Sequence, residues 1–446
     1  MSGAGAFAAR LGAWRGGEPP LGRALAGAVR DAVVDGRISV GAVLPSERAL
    51  AGALGVSRGT VVAALALLRA EGWIHTRHGS GSVVRLPPHL TERTTPWSLD
   101  HGGAGLDLTR AVTAAPHEPY LRALRRAVER CATLLVDSGE ADAGLPALRE
   151  TIAARYTAGG LPTRPEQILV TSGARGALIL LLDQLHDRRR PVVVENPTFP
   201  GALDLLRRRR ARLATVPVTA RGWDADRLAE VTGAGLAYLM PDFHNPTGAL
   251  MPAAVRARAA RLAETVIVDE TMRDLDLRTP QRPIPYLPGS RVVSVGSASK
   301  LLWGGLRVGW IRAGAALVAE LLRNPLQPQL SPPPLEQLVT ADLLGDVEAV
   351  TAGRRAQLRA QRDHLAALLS GSDAWSFTVP PGGLAIWLRL HHATSADLVT
   401  RARARGLALT PGPVFSADRT LTRYLRVPFT ATPDLLTRAV GLLRDG

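Results

Sequence analysis

The chain has 446 residues, 46% of them hydrophobic, which is ample for more than one domain with a sizeable core. A net charge of +15 and a sequence pI of about 11.2 invite an anionic partner, nucleic acid first. A single cysteine, Cys131, excludes an internal disulfide and any cysteine-based zinc site, and it fits a reducing cytosol.

No metal site is expected. Residues 1–20 lack the apolar centre of a signal peptide, and no apolar run reaches membrane-spanning length, so a cytoplasmic protein without a membrane partner is expected. The charge is spread along the chain: residues 1–90 carry ten Arg and five Asp or Glu, a net +5.

Leu21, Leu25, Val29 and Val33 recur every fourth residue and predict an amphipathic helix over 20–35, ended at Asp35-Gly36. Ser46 is a good N-cap for a second helix with Leu50 and Leu54 on its buried face, and Gly55 stops it. Ser57 then caps a third helix, with Val61, Leu65 and Leu68 inward and Gly72 at its end. Two helices joined so tightly form a helix-turn-helix, and the second would enter a major groove by Ser57, Arg58, Gly59 and Thr60. Residues 73–77 and 82–84 alternate like strands around His78-Gly79-Ser80-Gly81, a hairpin with a glycine-rich tip. Helices followed by such a hairpin describe a winged helix.

The segments Leu44-Pro45-Ser46-Glu47-Arg48, Leu54-Gly55-Val56-Ser57-Arg58-Gly59-Thr60 and Leu68-Arg69-Ala70-Glu71-Gly72-Trp73 resemble the GntR-type winged helix. The resemblance implies that Arg48 and Arg58 reach double-stranded DNA, with Ser57 and Thr60 at the recognition helix and His78 and Gly79 at the wing tip. Arginine binds guanine or phosphate bidentately, which suits that task. Residues 14–86 form this expected domain.

Pro87-Pro88-His89 opens a stretch without apolar period, with Thr94-Thr95-Pro96 and Gly102-Gly103. It reads as a linker over 87–106, or as an irregular arm that Trp97 anchors to one domain. From residue 107 to 446 short apolar strands alternate with helices: 192–194, 213–218, 236–239, 266–268 and 292–295. That pattern predicts an α/β domain with a mainly parallel sheet, whose ligands bind beyond the strand C-termini. Polar motifs stand there. Thr171-Ser172-Gly173-Ala174 opens a helix and leaves N–H groups for a phosphate. Phe199 follows one strand and suits a core as well as a cofactor stack. Asn245-Pro246-Thr247-Gly248 follows another, Asp269 ends a third, and Ser297-Ala298-Ser299-Lys300 ends a fourth. Lys300 is the only lysine in the chain. Arginine replaces lysine as a charge but not as an amine nucleophile, so its retention points to a Schiff base.

This order of motifs resembles the fold-type I, aspartate-aminotransferase-like proteins that use pyridoxal 5'-phosphate (PLP). The resemblance implies that Lys300 forms the Schiff base, Asp269 holds the pyridine nitrogen, and Asn245 bonds the ring hydroxyl oxygen. It implies that Phe199 stacks on the ring, and that Ser172, Gly173, Ala174, Ser297 and Arg307 hold the phosphate. Arg426, in Tyr424-Leu425-Arg426-Val427-Pro428, would take an effector carboxylate; a surface salt bridge is its plainer reading. A winged helix ahead of such a domain is similar to the MocR subgroup of GntR-type regulators. Thr271 (or Met272) stands where that subgroup has a tyrosine at the pyridine site, and Ser138-Gly139-Glu140 stands where members place another. The expectation is a homodimeric, PLP-dependent transcription regulator that senses a small amine or amino acid, or PLP itself, without efficient turnover. An active aminotransferase with a DNA-binding arm is the alternative, and a regulator whose second domain has lost PLP is a further one.

Overall fold

Ser46 and Ser57 start their helices by the same device. Ala49 N donates to Ser46 Oγ (3.3 Å) and Thr60 N to Ser57 Oγ (3.1 Å), each satisfying an N–H that the helix itself cannot pair. The helices are α1 (Gly3–Leu11), α2 (Leu21–Val34), α3 (Glu47–Leu54) and α4 (Arg58–Ala70). Gly55, at φ 60, turns α3 into the approach to α4, a conformation that an L side chain resists. Leu25, Val29 and Val33 of α2 share a core with Val61, Leu65 and Leu68 of α4. Phe7 and Leu11 of α1 fill the same core, so it reaches ahead of residue 14. Strands β1 (Ile74–Arg77) and β2 (Gly81–Val84) pair antiparallel as the wing.

The computed structural model describes residues 3–15, 20–77, 81–87, 90, 105–136, 138–220, 222–231 and 233–444. His78, Gly79 and Trp97 lie outside the described residues, as does most of 87–106.

Strand β3 (Leu106–Asp107) leads into the second part of the chain. Its central sheet is built from β4 (Ile168–Thr171), β5 (Val192–Asn196), β6 (Leu213–Thr219), β7 (Gly222–Trp223), β8 (Leu236–Leu239), β9 (Thr265–Asp269), β10 (Val292–Ser297) and β11 (Gly309–Arg312). Their order across the sheet is β4-β11-β10-β9-β8-β5-β6-β7. The middle pairs are parallel, as the apolar runs separated by helices predict. β11 runs antiparallel to both its neighbours, a strand the sequence pattern did not announce. Gly309 at its start makes this possible: a Cβ there would lie 2.5 Å from the carbonyl carbon of Gly173.

A smaller sheet, also missed, contains β12 (Trp375–Ser376), β13 (Ala385–Leu390), β15 (Thr410–Pro411) and β16 (Tyr424–Pro428), while β14 (Leu407–Ala408) pairs with β3. The short strand β3 therefore ties the start of this region to its end.

The two parts of the chain meet across a mostly polar face. Arg389 Nη2 lies 3.0 Å from Asp35 Oδ2, and Arg423 pairs with Asp31. Leu421 N donates to Val34 O (2.7 Å), Val40 N to Asp418 Oδ2 (3.1 Å), and Ser39 Oγ lies 2.8 Å from Thr215 Oγ1. Among the described residues no single helix is long and apolar enough to cross a membrane, and no group of His, Cys, Asp and Glu could hold a metal ion.

Candidate functional site

The strand ends of the central sheet carry the polar motifs to one place. In the β9–β10 ladder Asp269 faces Val295, two residues before Ser297. Ser297 shapes the turn that follows. Its hydroxyl lies 3.0 Å from Ser299 Oγ and 3.2 Å from Val308 O, and it accepts from Ser299 N at 3.1 Å. That turn presents Lys300, whose Nζ donates to Ala111 O at 2.8 Å. Burial is the main cause that lowers the Lys300 amine to about 8. The Arg426 guanidinium lowers it further, Asp269 opposes the shift, and Arg110 adds to it.

Asp269 is buried and doubly held. Tyr238 OH donates to its Oδ2 at 2.6 Å and Thr271 N to its Oδ1 at 3.0 Å. Thr271 thus contributes a backbone amide to the carboxylate, and its neighbour Met272 is buried in the apolar core. Sequence reasoning missed Tyr238, reading it as one more apolar residue of a strand. The available signal was that a buried tyrosine hydroxyl needs a partner. Burial and the facing Asp269 push its hydroxyl well above the ordinary value.

Arg426 is buried, and burial alone lowers it to about 10. Its Nη1 donates to Asn245 Oδ1 at 3.4 Å and its Nη2 to Thr109 O, while Nε has no partner. The guanidinium carbon sits 4.8 Å over the Phe415 ring. No carboxylate faces it in the ion pairs of the described residues. A buried cation with an orphaned donor is costly unless an anion completes it, so the surface salt bridge is not its role here.

Gly173 opens the helix Gly173–Leu185 at φ 76, and Ser172 makes no side-chain cap to that helix. The start of this helix, with the Ala174 N–H in its first turn, is where an anion would meet backbone donors. Arg307, exposed and at φ 53, donates to Ser172 O at 3.4 Å. A Cβ on Gly173 would stand 3.6 Å from that guanidinium. Phe199 is half-buried at the start of the helix Pro200–Arg208, its ring packed over Gly201 at the margin of an apolar cluster that includes Leu178, Leu203 and Leu206. These residues fit PLP: a depressed amine for the aldehyde, a buried carboxylate for the ring nitrogen, and an uncapped helix start beside the Arg307 guanidinium for the phosphate.

At the other end of the chain Arg58 is exposed and bonded to Glu47, with Nε at 3.2 Å and Nη2 at 3.0 Å from Oε2. Arg48 and Ser57 are exposed on the same helix pair, and Thr60 Oγ1 lies 2.9 Å from Ser57 Oγ. An exposed pair such as Arg58–Glu47 is weak enough to be exchanged for a phosphate or base edge.

Comparison with known proteins agrees at both ends. Residues 21–84 match the family of bacterial regulatory proteins, gntR family, and residues 141–443 match aminotransferase class I and II. The 2-aminoadipate transaminase of Thermus thermophilus is 31% identical over 355 residues, covering 74% of this chain and 87% of its own. The HTH-type transcriptional regulator TauR of Rhodobacter capsulatus is 27% identical over 492 residues, covering 96% of this chain and 98% of its own. The structure of LysN, the alpha-aminoadipate aminotransferase of Thermus thermophilus with N-(5'-phosphopyridoxyl)-L-leucine, superposes with a TM-score of 0.69 at 27% identity, covering 76% of this chain and 90% of that one. The chain belongs to the MocR subgroup of GntR-type regulators, PLP-dependent DNA-binding proteins with a winged helix joined to an aminotransferase class I and II domain.

Proposed function

We propose that residues 107–446 bind PLP and a small amine or amino acid, and that residues 14–86, joined through 87–106, read an operator accordingly. The observation that carries this is the Lys300 amine and the Asp269 carboxylate at the central strand ends, with the buried Arg426 guanidinium acting on that amine while its own Nε has no partner. PLP supplies an aldehyde and an electron-withdrawing ring. Lys300 provides the amine, deprotonated at a milder pH than a free lysine. Asp269, oriented by Tyr238 and Thr271 N, holds a proton on the ring nitrogen. Asn245 would bond the ring oxygen, and Phe199 would cover the ring. Ser172, Gly173, Ala174, Ser297 and Arg307 hold the phosphate. Arg426 binds the effector carboxylate.

Arg48, Ser57, Arg58 and Thr60 contact DNA, with His78 and Gly79 at the wing tip. The protein works in the cytoplasm as a homodimer, since paired winged helices need two half-sites. The length match to TauR supports a regulator over an aminotransferase with an added arm.

Because only the free amine attacks an aldehyde, the rate of PLP incorporation should rise with pH and level off above about 8, the Lys300 value. An unshifted lysine would keep gaining up to about 10.5. Borohydride should fix the label on the peptide containing Lys300, and undiminished labelling in Lys300→Ala would refute the assignment. Arg58→Ala should weaken operator binding by about 1–3 kcal/mol and relax sequence preference, read by titration at fixed salt. Equal discrimination by variant and wild type would remove Arg58 from the interface. Sedimentation at micromolar concentration with PLP should give a dimer; a stable monomer would contradict the two-half-site reading.

A further inference from the structure

Three residues on one face of the smaller sheet, with Phe415 beside them, lie between Arg426 and the DNA-binding domain. In the β13–β16 ladder Trp387 pairs with Arg426 and Arg389 with Tyr424, so all four side chains share a face. Trp387 stacks on Tyr424, with ring centres 5.2 Å apart and planes at 12°. Phe415 meets Trp387 edge-on at 5.5 Å, and the Arg426 guanidinium lies over Phe415 at 4.8 Å. Trp387, Phe415 and Leu421 form a small apolar cluster separate from the large cores, with Tyr424 at its margin.

The far end of this column is Asp35. It follows the last turn of α2 and is buried. A carboxylate there faces the negative end of the helix dipole and depends on cations to be tolerated. Its Oδ2 has Arg389 at 3.0 Å and Arg37 at 3.4 Å, and its Oδ1 has no partner. Burial and Asp35 push the Tyr424 hydroxyl up to about 12, while Arg389 pulls it down. Tyr424 thus lies within the field of both members of the interdomain ion pair. Leu421, from the same cluster, gives its N–H to Val34 O in the last turn of α2.

We propose that Asp35 is a positioning residue for the effector-carboxylate site: through Arg389, Tyr424, Trp387 and Phe415 it sets where the Arg426 guanidinium rests. This builds on the assignment of Arg426 to a carboxylate. The Arg426 end is the adjustable one, because two neutral acceptors and an aromatic face hold the guanidinium without a counter-ion. A carboxylate that recruits it alters its contact with Phe415, hence the stack behind it and the grip of Arg389 on the end of α2. Linkage makes the effect mutual: whatever Asp35 does to effector affinity, effector does to the hold on Asp35.

The test uses PLP-loaded full-length protein and the PLP absorbance band. L-alanine, L-leucine and L-glutamate are titrated beside n-butylamine, which reaches PLP but has no carboxylate for Arg426. Asp35→Asn and Trp387→Ala should each weaken the amino-acid response about fivefold or more, a shift within the usual range of coupling between sites. They should leave the n-butylamine response in place, and Trp387→Phe, which keeps a ring in the stack, should recover most of the loss. Unchanged amino-acid affinity in both variants overturns the proposal. So does an equal loss for amine and amino acid, which is the mark of general destabilisation. If n-butylamine shifts the wild-type band and no amino acid binds better than it does, the carboxylate role of Arg426 fails and this inference falls with it. If neither class shifts the band, the effector reading of the whole site fails.

Discussion

Burying a lysine amine beside a buried arginine, with one carboxylate to offset them, is the constraint on which the rest of this structure depends. Each cation loses hydration, and desolvation is the leading cause of the shift at both Lys300 and Arg426. Such a cluster persists only where the surrounding framework fixes every member. The parallel strands provide that framework. β9 ends at Asp269, β10 ends at the Ser297 turn, and β8 supplies Tyr238 to hold Asp269 in place. Segment 109–111 closes the other side, with Thr109 O accepting from Arg426 and Ala111 O from Lys300. The result is a site short of negative charge, suited to an anionic cofactor and a ligand bearing a carboxylate.

The DNA-binding end follows a different economy. Its core is small and apolar, two of its helix starts are fixed by serine caps, and Arg48 and Arg58 stay in water. Arg58 is held only by an exposed carboxylate, which leaves it ready to exchange partners. Between the ends lies an interface of ion pairs and single hydrogen bonds around Asp31, Asp35 and Asp418. A polar interface of this kind resembles the contacts between domains that move relative to one another, more than it resembles a continuous core. A regulator needs that property, since a rigidly fused reader could not report a ligand.

Much of this was legible in the residues because the signals were local. Ser46, Gly55 and Ser57 mark helix ends by chemistry that acts within four residues, and the observed helices begin and end beside them. The strands at 192–196, 236–239, 265–269 and 292–297 are apolar runs buried on both faces, which need no tertiary information to recognise. Lys300 stood out through its solitude among arginines. What escaped was non-local. β11 is short and lies between β4 and β10, and its place depends on Gly309 passing close to Gly173. Tyr238 looked like core until its hydroxyl was seen to meet a carboxylate 31 positions away. The column from Phe415 to Asp35 joins residues that no periodicity relates.

The central claim is that one effector equilibrium and one DNA equilibrium share a free energy through this chain. The most direct measurement is a closed thermodynamic box on the wild-type, PLP-loaded protein. Effector affinity is read from the PLP band with and without saturating operator, and operator affinity is read with and without saturating effector. The account predicts that both ratios differ from one and equal each other, typically by about 5- to 150-fold. Ratios of one on both sides, with each ligand binding normally, would contradict it.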